Sequence, residues 1–184
     1  MTAVESAVLE QLFAETFFND WNTLLTGGGH EPIYLPADQD HRHHRIIYRE
    51  DYFSSALHET AHWCVAGEAR RKLVDFGYWY QPDGRTRDQQ QAFEQVEVKP
   101  QALEWLFTAA TGRVFRPSAD NLSGPDPDSR GPSVAFLDAI ATQARQWCIE
   151  GGMPPRGRLF VERLAAHYGV EAPFDPDRYQ DLAP

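Results

Sequence analysis

Between Glu5 and Leu25 apolar residues recur at Val8, Leu9, Leu12, Phe13, Phe17, Trp21, Leu24 and Leu25. Steps of three and four residues mark one face of a helix, and Gly27, Gly28 and Gly29 are its expected stop. The pattern then changes. Ile33, Tyr34 and Leu35 lie between Pro32 and Pro36, which suits a short edge strand, and Arg45 to Tyr48 forms a second β-like run. Helical spacing returns over residues 52–72, where Gly67 is an awkward interior residue that bends or ends the element. Residues 73–85 read as an extended aromatic run closed by the turn Pro82-Asp83-Gly84.

A polar helix is predicted to begin between Thr86 and Asp88. Pro100 suits a first helical turn better than an interior, so the pattern predicts a break from Val96 to Lys99. A new helix should follow, from Pro100 to Thr111, with Gly112 ending it. Residues 116–132 are rich in Pro, Gly, Asp and Ser and read as a long surface loop, since the residues beyond it are few for an independent core. Ser133 is placed to cap a helix through Glu150, and Gly157 to Tyr168 makes the last one. The expectation is an α+β fold: a single, mostly helical domain over residues 1–184, with a few short strands between residues 33 and 80 and the helix of residues 52–72 in its core.

Composition narrows the functional classes. The chain has 184 residues, 42% of them hydrophobic and 12% aromatic, as a soluble globular protein should. No apolar run approaches the roughly 20 residues of a membrane helix. The first residues lack a basic segment and carry acids among the apolar positions, so they read as an amphipathic helix and not a signal peptide, and the expected compartment is the cytoplasm. Cys64 and Cys148 lie far apart and read as thiols. A net charge of −10 argues against a general nucleic-acid surface. The basic runs Arg42 to Arg45 and Arg70 to Lys72 read as solvated charge or as a docking patch for an acidic partner.

The chemistry concentrates in HETAH, residues 58–62. Residues four apart on a helix project from one face, so His58 and His62 can reach one metal ion, with Glu59 one step round and able to touch a metal-bound water. Cys64, two residues past His62, falls on the far side and should pack in the core. The metzincin continuation is absent, so the third ligand should be a carboxylate from elsewhere. Glu97 is favoured because a turn before a new helix would hold it firmly, followed by Glu94 and then Asp75. Two histidines and a carboxylate fit either Zn²⁺, which activates water for peptide hydrolysis, or Fe(II), which leaves positions for O₂. The spacing alone does not separate these, and a zinc-dependent HExxH metallopeptidase is the alternative reading.

The strings around the motif do separate them. HETAHWCVAGEARRKLVDFGYWYQPDGR, the upstream EPIYLPAD and the downstream VEVKPQALEWLF resemble the bacterial elongation factor P hydroxylase family. The resemblance is dense from Glu31 to Gly112, continues weakly from Asp120 to Gly124 and thins toward the C-terminus. It implies a non-haem iron protein that adds a hydroxyl group to the β-lysyl-modified lysine of translation elongation factor P, as the last step of that modification. The implied ligands are His58, His62 and Glu97, with Fe(II) as cofactor, O₂ as co-substrate and another divalent ion able to take the same ligands. A lysyl chain is a long cation. Asp75, Glu94 and Glu104 could hold its ammonium groups, and Tyr78, Trp79 and Tyr80 could flank its methylenes. Elongation factor P is then the expected partner, with neither membrane nor direct nucleic-acid binding.

Overall fold

The computed structural model describes residues 2–75, 83–119, 121–127 and 130–182, with side chains from Glu5 onward. Among the described residues there are five α-helices, of which the first two pack on a small sheet: α1 (Thr2–Trp21), α2 (Phe53–Val65), α3 (Arg87–Ala110), α4 (Val134–Ile149) and α5 (Pro155–Tyr168). The strands β1 (Thr23–Gly29), β2 (Ile33–Leu35) and β3 (His44–Arg49) precede α2, and the sheet order is β1-β3-β2. β1 runs parallel to β3, with Leu25 opposite Ile46, and β2 pairs antiparallel to it, with Tyr34 opposite Ile46. This is the expected mostly helical α+β architecture. The expected edge strand at Ile33–Leu35 and the run at residues 45–48 are both strands.

The first helix is shorter than its apolar pattern. Asn22 adopts a left-handed conformation (φ 48°) and its amide donates to the Phe18 carbonyl, which ends α1 before Leu24 and Leu25. Those two leucines enter β1, so the apolar spacing at the end of the pattern belongs to a strand. The three glycines are also strand residues and not a helix stop. A Cβ on Gly27 would lie 2.6 Å from the Glu50 carbonyl oxygen and 2.9 Å from the Tyr48 ring, so the close approach of these segments requires glycine there.

The predicted break at Val96–Lys99 is absent: α3 runs unbroken from Arg87 to Ala110 with Pro100 inside it. Thr86 caps the helix in a reciprocal box with Gln89. An interior proline costs about 3 kcal/mol through one lost hydrogen bond and a local clash. Here the helix packs against α2, α4 and α5 along its length, and that burial outweighs the local cost. Ala102, Leu103, Leu106 and Phe107, just past the proline, are fully buried.

The remaining expectations held more closely. α2 ends at Val65, before Gly67, and a 3-10 turn at Arg70–Lys72 follows. Ser133 caps α4 by accepting from the Phe136 amide, and Gly169 ends α5 in a left-handed conformation (φ 70°). Asp75 forms an isolated antiparallel bridge with Tyr34, so the start of the predicted extended run is extended; its aromatic part, residues 76–82, lies outside the described residues.

The core joins all five helices with Leu25, Ile46 and Tyr48 of the sheet. Phe13 and Phe17 meet Trp63 at ring distances of 5.3 and 5.0 Å, and Phe160 lies 5.2 Å from Phe107, all in tilted or edge-on contacts that aromatic rings prefer. Cys64 is buried in this core, as expected, and both cysteines are free thiols. The C-terminus of α2 is held from α5. Arg156, nearly buried, donates to the carbonyls of Trp63 and Ala66 at 2.8 Å and of Cys64 at 3.1 Å. Its guanidinium lies over Trp63 (4.5 Å) and Trp21 (4.6 Å), while Arg71 also donates to the Ala66 carbonyl. Two cations thus satisfy the otherwise open carbonyl end of the HETAH helix.

Candidate metal centre

Two neighbouring helices build the site. His58 and His62 stand one turn apart on α2, and their Nε2 atoms face each other at 3.0 Å with the rings at 70°. α3 crosses them and contributes Glu97, which is 2% exposed. Its carboxylate oxygens lie 3.2 Å from His62 Nε2 and 3.7 Å from His58 Nε2. One donor atom from each of the three residues lies within 4.8 Å of the others. Two imidazole nitrogens at right angles about one ion, each 2.0–2.1 Å from it, are about 3 Å apart. The donor spacing and the donor types therefore fit a divalent cation.

A second layer fixes these donors. His58 Nδ1 meets Glu104 Oε2 at 2.8 Å, so its other nitrogen is the one that faces His62 and Glu97. Gln101 donates to Glu97 at 3.4 Å, and its amide is locked by Ser118, whose carbonyl accepts at 2.7 Å and whose amide donates at 3.1 Å. Glu97, Gln101 and Glu104 recur every three to four residues, so the continuity of α3 through Pro100 puts them on one face.

The electrostatics follow from burying opposite charges together. Burial alone would lower the pKa of His58, but Glu104 first, then Glu97 and Glu59, outweigh it and raise the value to about 10. Burial would raise the Glu97 pKa, and His62, His58 and Gln101 reverse that and bring it to about 2. Burial pushes the Glu59 carboxyl up against the lowering effect of both histidines. The carboxylates of Glu104, Glu97 and Glu59 thus favour positive charge at this point of the site. A divalent cation supplies such a charge.

The residues expected to meet substrate are dispersed. Asp75 shares a cavity of about 30 Å³ with Glu59, His62, Tyr34 and Trp63, and its carboxylate accepts from the Arg70 guanidinium. Glu94 is not beside the histidines: its carboxylate accepts from the Ser133 amide at 2.9 Å and the Ser133 hydroxyl at 2.6 Å, at the start of α4. It lines a groove between α3 and α4 of about 550 Å³. Tyr78, Trp79 and Tyr80 lie outside the described residues. Glu104 is engaged by His58, a role that the reading of it as a substrate contact missed. Gln101 and Arg156 were also missed. Reading the helical period straight through Pro100 would have aligned Gln101 and Glu104 with Glu97, whereas nothing local marks Arg156.

The basic runs are largely committed to local partners. Arg70 pairs with Asp75, Lys72 with Glu68 at 2.8 Å, Arg71 caps α2, and Arg45 lies 3.8 Å from Asp38. No helix among the described residues is long and apolar enough to cross a membrane.

Comparison with known proteins places this geometry in a chemical context. The sequence profile of a family described as elongation factor P hydroxylase matches residues 12–179. A curated protein of Haemophilus influenzae, elongation factor P lysine hydroxylase, is 46% identical over 160 residues, which is 87% of this chain and 87% of that protein.

Proposed function

The chain belongs to the elongation factor P hydroxylase family, and on that footing we propose that it hydroxylates the β-lysyl-modified lysine of elongation factor P as a ferrous, dioxygen-dependent enzyme of the cytoplasm. Residues 1–184 act as one domain in this reading. The observation that carries it is the convergence of His58, His62 and Glu97, two neutral-nitrogen donors and one carboxylate, in a chain that matches a lysine hydroxylase over most of its length. The peptidase alternative has no relative among these matches to support it.

A ferrous ion held by those three residues would supply one-electron chemistry with O₂. The protein's own groups do the rest. His58 and His62 present their Nε2 lone pairs from one rigid helix, and Glu97 supplies the balancing negative charge from the next. Glu59, half-buried on the cavity it shares with His62, can hydrogen-bond a substrate group beside the histidines. Asp75 lines the same cavity, and in this proposal a lysyl ammonium takes the place of Arg70 at its carboxylate. Tyr78 is a further substrate contact in this proposal. Positioning matters because a strong oxidant takes the nearest C–H bond, so the clamp on the lysyl chain selects the carbon.

Intact mass spectrometry of β-lysylated elongation factor P tests the proposal. Incubation with the iron-loaded protein and ascorbate as reductant, in air, should add the mass of one oxygen atom, the other atom of O₂ leaving as water with two electrons from the ascorbate. The gain should vanish anaerobically and in His58→Ala. Absence of any gain, together with chelator-sensitive cleavage of a peptide library, would establish the zinc peptidase instead.

A further inference from the structure

We infer that Glu104 is the positioning residue of the metal centre: its carboxylate holds the Nδ1–H of His58 and so aims Nε2 of that ring at the ion. The inference rests on the reading of His58, His62 and Glu97 as ligands.

Glu104 is 7% exposed and sits on α3 two turns after Glu97, where the same helix face meets α2. An ionised carboxylate buried this deeply costs several kcal/mol unless it is paired. Its partner is His58 Nδ1 at 2.8 Å, well within hydrogen-bond range. That contact has two consequences. It selects the neutral tautomer with hydrogen on Nδ1, which leaves the lone pair on Nε2, the nitrogen 3.0 Å from His62 Nε2 and 3.7 Å from Glu97. It also fixes the ring plane, because an imidazole held at Nδ1 cannot rotate about its χ2 angle without losing the bond. A carboxylate in this place raises the basicity of the ligand nitrogen, as it does for histidine ligands generally. It adds a second negative charge, so that Glu97 and Glu104 together balance a divalent ion between neutral imidazoles. α3 therefore delivers one ligand and one orienting group, and both act on a pair of histidines from α2. The arrangement places Glu104 behind the ligand ring, where a substrate ammonium would have to displace His58 to reach it.

The test uses Co²⁺ as the probe on the full chain, with affinity measured by chelator competition. Long-range ¹⁵N–¹H NMR of the zinc-loaded protein reports the His58 tautomer. Glu104→Ala should weaken Co²⁺ binding ten- to a hundredfold. It should also alter the visible Co²⁺ spectrum and allow a mixture of His58 tautomers, while far-UV circular dichroism stays as in the wild type. Glu104→Gln keeps an oxygen that can accept from Nδ1–H but loses the charge. It should lose less affinity than Glu104→Ala and keep the single tautomer, which guards against a folding defect in the alanine variant. Wild-type affinity and spectrum in both variants would overturn the inference while leaving the metal centre standing. Wild-type affinity in His58→Ala would remove the metal centre itself, and the inference with it.

Discussion

Among single residues, the contrast between Glu94 and Glu97 is sharpest. They lie three apart on one helix and both are buried, yet one faces the two histidines and the other faces Ser133. Glu97→Ala should remove most of the bound metal, measured by elemental analysis of purified protein. Glu94→Ala should keep its metal and instead lose about 1–3 kcal/mol of stability, because the Ser133 amide and hydroxyl lose their buried acceptor. Denaturant titration reads that loss. Loss of metal in Glu94→Ala with retention in Glu97→Ala would reverse the ligand assignment. His58 and His62 were readable as a pair because an i, i+4 relation is local to one helix. Glu104 was misread as free for substrate because its partner is 46 positions away.

At the level of elements, the HETAH helix depends on both its ends and its neighbours. Arg156 satisfies three carbonyls at the C-terminus of α2. Its replacement by alanine leaves them without that donor and should destabilise the fold by about 3 kcal/mol, given 1.5–3 kcal/mol for a charge-assisted hydrogen bond. Gly27→Ala should cost about 1–3 kcal/mol by overpacking, since the neighbouring atoms include the backbone oxygen of Glu50. Both are checked by the shift of the denaturation midpoint. The sequence misled at this level twice, at Leu24–Leu25 and at Pro100. In each case a local rule was sound but was outweighed, first by parallel pairing of β1 with β3 and then by packing of α3 on three helices.

For the molecule as a whole, metal binding and folding should be linked. The three donors come from helices that meet only in the folded state, so an ion that binds the native site stabilises it by mass action. At a free ion concentration a hundredfold above Kd the gain is about 2.7 kcal/mol. Calorimetric scans should therefore show a higher Tm for the loaded protein, with the gain reversed by a chelator and absent in His58→Ala. An unchanged Tm on loading would mean that the three donors do not bind an ion in the folded state.

The sequence alone determined what short-range chemistry controls: the helical pairing of His58 with His62, the cap at Ser133 and the stop near Gly112, the edge strand between two prolines, and the family through long strings of residues around the motif. It also ranked Glu97 first, though on the premise of a turn that α3 does not contain. The tertiary structure decided which carboxylate faces which partner. Glu94, Glu97 and Glu104 are chemically alike and closely spaced, and a glutamate's role depends on what stands opposite it across a helix interface. That neighbour is set by the packing of α3 against α2 and α4, which depends on the whole core and is not encoded in any local stretch of chain.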